Sequence, residues 1–222
     1  MLVLGILGLF GVGSAAALFL GREPDATPSP TSPPVEPVAC GGERPAAAGQ
    51  PKPTFDKAPE MQIDRKKSYR AVLETSCGTI EVELFADEAP VTVNSFVFLA
   101  RQQFFDGLTF HRVVPGFVIQ GGDPKGDGTG GPGYQFKNET VKSLRFDKPG
   151  VVAMANAGPD TNGSQFFITV APARELNDGY TIFARVTEGM EVVQEINGLA
   201  TDPRERPNET AFIERVRIVE EQ

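Results

Sequence analysis

Residues 110–123, FHRVVPGFVIQGGD, restrict the possible folds of this chain more than any other stretch. Phe110, Val113, Val114, Phe117, Val118 and Ile119 are strand formers lying on both sides of Pro115-Gly116. That pair forces a turn or a bulge, because proline removes a backbone donor and glycine reaches positive φ. Arg112 and Gln120 stand eight residues apart among these apolar side chains. A bulge is the expected device for re-aiming both toward one surface. The result is a groove with an apolar floor and one hydrogen-bonding wall, holding neither a nucleophile nor a metal cluster.

The surrounding sequence reads as a sheet protein. Residues 69–76 and 79–85 are alternating runs broken at Cys77-Gly78, which predicts an antiparallel hairpin. Residues 90–102 read as a helix, with Pro90 in its first turn and Val93, Phe96, Val97 and Ala100 on one face. Further strands are expected at 151–155, 166–170, 181–186 and 211–219, a short helix near 189–196 and a proline-rich turn at 202–208. Many short strands with two helices favour a closed barrel over a sandwich, since closure removes exposed sheet edges. The glycine-rich run at 122–133 lacks a following Gly-Lys-Ser/Thr and a dinucleotide pattern, so it reads as a tight connection rather than a phosphate loop.

Composition sets the domain boundaries. Ten of the nineteen prolines fall within residues 24–59, which predicts one folded domain, 64–222, preceded by a Pro/Ala-rich stalk, 22–63, extended and mobile in its own right. Residues 2–21 are twenty residues without a charge, the length a helix needs to cross a bilayer. They predict an extracytoplasmic protein held by a transmembrane anchor at 1–21, with a cleaved signal and secretion as the alternative. Cys40 and Cys77 would then meet an oxidising medium, and a disulfide between them, strapping part of the stalk to the domain, is the expected state; two unpaired cysteines are the alternative. A formal charge of −8 argues against nucleic-acid binding.

Two runs, FHRVVPGFVIQGGD at 110–123 and MANAGPDTNGSQFFIT at 154–169, resemble the core motifs of the cyclophilins, the peptidyl-prolyl cis-trans isomerases, and with the flanking strands the resemblance extends over about residues 66–220. It implies a mainly β fold, a closed eight-stranded antiparallel barrel capped by two helices, working without cofactor or metal as a monomer on proline-containing polypeptides. It assigns catalysis to Arg112, with Gln120 beside it, and the apolar wall around the proline ring to Phe117, Val118, Phe167 and Leu176. Phe166 is assigned to the core, because adjacent strand residues point to opposite faces. Gln165, Asn156 and its small neighbours Ala155 and Ala157 are implied in holding the peptide, and Gly128 to Gly131 border a secondary pocket. Blander roles remain open: Gln165 as a brace for Arg112, Asn156 as a turn former with Gly158-Pro159.

Two departures from the family pattern stand in 173–183: Glu175 where many members carry Trp, and Tyr180 where many carry His. Tyr180 supplies an aromatic face and a polar tip. Glu175 cannot replace an indole, so cyclosporin-like macrocycles should bind weakly. His111, the single histidine, has no second histidine as partner and reads as a structural hydrogen-bonding residue. Rotation about X-Pro needs no covalent chemistry, only a cation to polarise the amide and a pocket for the ring. The leading expectation is therefore an isomerase for exported or envelope proteins; the alternative is a non-catalytic proline-peptide-binding or chaperone module using the same groove.

Overall fold

The computed structural model describes residues 36–221, and the anchor or signal expected over 2–21 lies outside them. Strands β1 (Ser68–Thr75) and β2 (Gly78–Leu84) form the expected hairpin, with Tyr69 opposite Leu84 and Thr75 opposite Gly78. Their alternation places Tyr69, Ala71, Leu73, Ile80, Val82 and Leu84 in the core. Helix α1 (Pro90–Arg101) follows and buries Val93, Phe96, Val97 and Ala100, as their spacing requires. Its N-cap, Ala89, has no side-chain acceptor. Glu139 supplies one from elsewhere in the chain, accepting from the backbone N–H groups of Val91 at 3.0 Å and Thr92 at 2.8 Å.

Seven further strands complete the sheet: β3 (Leu108–Thr109), β4 (Arg112–Val114), β5 (Val118–Gly121), β6 (Val151–Met154), β7 (Phe166–Thr169), β8 (Ile182–Glu188) and β9 (Phe212–Glu221). Helix α2 (Met190–Asn197) lies between β8 and β9. The strand order is β3-β9-β1-β2-β8-β6-β7-β5-β4, every pair antiparallel. Over the described residues the fold is mainly β with two α-helices, as expected, but the sheet has nine strands and two ends. Those ends, β3 and β4, are separated only by Phe110 and His111, so the sheet must curl on itself into a half-barrel. It does not zip shut there, because the Val113 N–H on β4 donates to the carbonyl of Glu205, at 2.8 Å, and the Phe110 N–H to that of Ala211. A turn, not a partner strand, occupies the free edge of β4.

The two faces of the curled sheet carry two apolar clusters. The larger lies inside, where Phe96 of α1 stacks on Phe105 at 4.9 Å and meets the edge of Phe166 at 5.8 Å. The smaller gathers Val118, Phe146, Val151, Ala153, Phe167, Ala173 and Ile182. Phe166 and Phe167 fall in different clusters, the separation that strand alternation demands.

Within the Pro/Ala-rich stalk expected over 22–63, the described residues 36–62 lie along the domain surface, held at several points, among them the disulfide expected from the sequence. Cys40 is disulfide-bonded to Cys77, and the described residues contain no free cysteine. The Ala39 N–H donates to Thr210 O at 3.0 Å and the Thr210 N–H to Pro37 O at 2.7 Å. Further along, Phe55 meets the edge of Phe98 at 4.9 Å while its N–H donates to Pro132 O at 2.8 Å. Asn94 on α1 accepts from the Gln62 N–H at 2.7 Å. Few apolar residues suffice here because each is seated on an existing surface and the backbone between them is hydrogen-bonded.

Candidate active site

The site is built on the β4–β5 hairpin. Pro115 and Gly116 occupy the central positions of its turn, closed by the Phe117 N–H to Val114 O at 3.0 Å, and Gly116 has φ of 72°. This is a type II turn, which needs positive φ at its second central position. Of the turn or bulge that Pro115-Gly116 forces, the chain makes the turn, a tight hairpin. It makes Arg112 and Gln120 direct cross-strand partners, and opposed residues of an antiparallel pair share a face.

The hairpin is clamped from behind by Asn197 at the end of α2. Its side-chain amide donates to Val114 O at 2.9 Å and Val118 O at 3.1 Å, and its oxygen accepts from the Gly116 N–H at 2.8 Å. Sequence reasoning missed this residue; before Gly198 it resembles an ordinary helix terminus.

A polar chain runs along the groove from the hairpin. Arg112 donates from Nε to Glu205 Oε2 at 2.6 Å and from an Nη to Gln120 Oε1 at 3.2 Å. Gln120 Nε2 donates to Gln165 Oε1 at 3.0 Å, and Gln165 Nε2 to the carbonyls of Gly130 at 2.9 Å and Gly128 at 3.0 Å. Gln165 therefore braces Arg112 through Gln120 and not directly. Glu205 was also missed: flanked by Arg204 and Arg206 in a polar turn, it carries no local signal. Its backbone has φ of 65°, and Asp202 fixes the turn by accepting from the N–H groups of Arg204 and Arg206.

Beside Arg112 is a cleft of about 150 Å³ lined by Phe117, Val118, Gln120, Ala155, Asn156, Phe167, Leu176 and Tyr180. The Tyr180 ring meets Phe167 edge-on at 5.5 Å. A larger chamber of about 980 Å³ adjoins it, sharing Gln120, Ala155 and Asn156 and including Ala157, Gln165 and Gly128 to Gly131. All eleven predicted groove residues thus line one continuous two-part groove. Asn156 also shapes the turn, accepting from the Gly158 N–H at 3.2 Å and donating to Gly179 O at 3.3 Å. Glu175 is exposed and lines neither part.

Asp123 organises the glycine-rich wall: buried, it accepts from the N–H groups of Lys125 at 2.8 Å, Asp127 at 3.1 Å and Gly128 at 2.6 Å. A Cβ on Gly130 would fall 2.0 Å from its Oδ1, so only glycine fits there. His111 departs from expectation. It is buried, but neither ring nitrogen has a hydrogen-bond partner among the described residues. Burial lowers its pKa; Asp123 opposes that shift, and Arg206 and Arg112 add to it. Among the described residues no group of three or more His, Cys, Asp or Glu side chains is placed to hold a metal.

Comparison with known proteins agrees with this geometry. The family model described as cyclophilin type peptidyl-prolyl cis-trans isomerase/CLD matches residues 70–218. The chain is 48% identical over 165 residues to peptidyl-prolyl cis-trans isomerase A of Mycobacterium tuberculosis, a match covering 67% of this chain and 91% of that protein. It is 44% identical over 154 residues to peptidyl-prolyl cis-trans isomerase-like 1 of Gibberella zeae, covering 68% and 95%. A crystal structure of a Cryptosporidium parvum cyclophilin type isomerase superimposes with a TM-score of 0.67 at 32% identity, over 70% of this chain and 99% of that one. A second structure of that protein, determined in the presence of the dipeptide Ala-Pro, gives 0.66 at 34% identity, over 68% and 98%. With two thirds of its length matched by the family model and relatives named as isomerases, the chain belongs to the cyclophilin-type peptidyl-prolyl cis-trans isomerases.

Proposed function

We propose that the chain isomerises X-Pro bonds in exported or envelope polypeptides by polarising the prolyl amide with Arg112 while the ring sits against Phe117, Val118, Phe167 and Leu176. The observation that carries this is the placement of a guanidinium and an apolar wall on one small cleft. Rotation in free peptide has a barrier of about 20 kcal/mol, arising from the double-bond character of the amide. A donor that lets the nitrogen recover its lone pair lowers it, because such a donor binds the twisted form better than the planar ones. Of the five N–H groups of a guanidinium, one donates to Glu205 and one to Gln120, leaving three directed by a fixed fork for the substrate carbonyl and ring nitrogen.

Gln120, Gln165 and the backbone around Asn156 hold the peptide on either side of the proline, and Ala155 and Ala157 leave it room. The relative studied with Ala-Pro supports a proline-containing ligand for this groove. Location outside the cytoplasm, by an anchor or after signal cleavage, is supported by the uncharged run at 2–21 and by the Cys40–Cys77 disulfide, since such bonds persist in oxidising compartments. The groove is complete within one chain, which supports action as a monomer.

The test is a protease-coupled assay on short X-Pro peptides with the full chain and Arg112→Ala. Catalytic efficiency should fall at least about tenfold, equivalent to about 1.4 kcal/mol of transition-state stabilisation, with folding unchanged. Equal rates would remove Arg112 from the chemistry and leave a binding groove.

A further inference from the structure

A second concavity, of about 400 Å³, is lined in part by Arg206, Pro207 and Asn208 of the 202–208 turn. Its volume is in the range of small-molecule sites, about 300–1,000 Å³. One wall belongs to the domain and the other to the N-terminal segment, whose Arg44 and Lys52 line it together with Lys125 and Arg206. Against these four cations stand Glu36 and Asp123, and the Asp123 carboxylate already accepts three backbone N–H groups. The lining is therefore net positive in a chain of formal charge −8.

One feature of the wall lacks a counterpart. His111 lines the concavity, is 8% exposed and has neither ring nitrogen hydrogen-bonded among the described residues, although a neutral imidazole always carries one N–H to donate. A buried donor without a partner is costly, about 1–3 kcal/mol. Lys52 is half-buried and donates to the Asp106 carbonyl oxygen; burial lowers its pKa, with Asp106 opposing.

We infer that this concavity binds a small multivalent oxyanion, phosphate- or carboxylate-bearing, between Arg44 and Lys52 of the N-terminal segment and Lys125 and Arg206 of the domain, with His111 at its inner wall. An oxyanion is attracted by the four cations, of which Arg206 also donates to the Gly126 carbonyl at 2.8 Å and Arg44 lies over the Phe212 ring at 5.7 Å, and it can accept the unengaged imidazole N–H with no charge on the ring. The site depends on the disulfide, because Cys40–Cys77 tethers the segment that carries Arg44 and Lys52. Arg206 also adjoins Glu205, the residue bonded to Arg112, so an occupant would touch the same turn that holds the groove's cation.

The chain has one histidine, so its imidazole gives a single, unambiguous ring signal in ¹H–¹⁵N spectra of the full chain. Titration with pyrophosphate and, separately, with citrate, at constant ionic strength, should move that signal saturably; the tighter of the two identifies phosphate or carboxylate chemistry. In the double variant Arg44→Gln/Lys52→Gln the dissociation constant should rise at least about tenfold, while X-Pro isomerase activity stays at the wild-type level and shows the domain to be folded. The charge-conserving pair Arg44→Lys/Lys52→Arg should retain binding. A shift that is linear in both anions and matched by chloride, or a saturable one that the double variant leaves unchanged, overturns the assignment.

Discussion

Arg112 and Glu205 stand 93 residues apart in sequence and meet at 2.6 Å, Nε to Oε2, while the backbone carbonyl of Glu205 accepts from the Val113 N–H beside Arg112. One turn thus fixes both the strand and the side chain of the groove's cation. Both side chains are about 40% exposed, so the pair contributes modestly to stability, about 1 kcal/mol or less. Its larger effect is on direction, because engaging Nε leaves the Nη groups facing the cleft.

Glu205→Gln keeps the shape but weakens this hold. Turnover should fall about fivefold, near 1 kcal/mol, mainly in kcat, with KM and thermal stability little changed. A change in stability alone, without loss of kcat, would make the pair merely structural.

Asn197 is 7% exposed and makes three hydrogen bonds to the hairpin that carries Arg112 and Gln120. Asn197→Leu leaves the Val118 carbonyl without its amide donor and should destabilise the fold by about 2–4 kcal/mol, read as a lower urea midpoint. Loss of isomerase activity should accompany it even at temperatures where the variant is folded.

The disulfide closes a loop with a sequence separation of 37. Loop-closure entropy puts its effect at about 4 kcal/mol, an upper value because the N-terminal segment makes other contacts. Cys40→Ser/Cys77→Ser should lower the melting temperature and make residues 41–62 protease-sensitive, while X-Pro turnover by the surviving domain persists. Unchanged proteolysis of that segment would show that its other contacts hold it without the bond.

His111 carries a pKa lowered by burial. The unfolded chain then binds the proton more readily, so stability rises with pH across the interval from the folded pKa up to the unfolded value, about 6.5. The contribution is fully present above about pH 6.5 and is lost as pH falls through that interval. Melting temperatures measured from pH 7.5 to 5 should therefore decline more steeply for wild type than for His111→Phe; parallel slopes would rule out the burial effect.

Much of this protein was legible in the sequence because its determinants are local. Alternation in 69–76 and 79–85 dictates a hairpin, the spacing of Val93, Phe96, Val97 and Ala100 dictates which helix face is buried, and two motif runs name every groove residue except Leu176 and Tyr180. Other relationships depend on chain segments that meet only after folding. Pro115-Gly116 allows a bulge or a turn, and the choice belongs to the cross-strand pairing that sets Arg112 opposite Gln120, with Asn197 closing the hairpin from α2. Glu139 caps a helix 48 residues before it, and Glu205 reaches Arg112 from the turn that precedes β9. A carboxylate in a polar loop has the same local pattern whether it meets solvent or a guanidinium. Periodicity records which face of an element is apolar, whereas hydrogen-bond partners are set by distances in space, and for Arg112 and Glu205 those distances exist only once the sheet has curled.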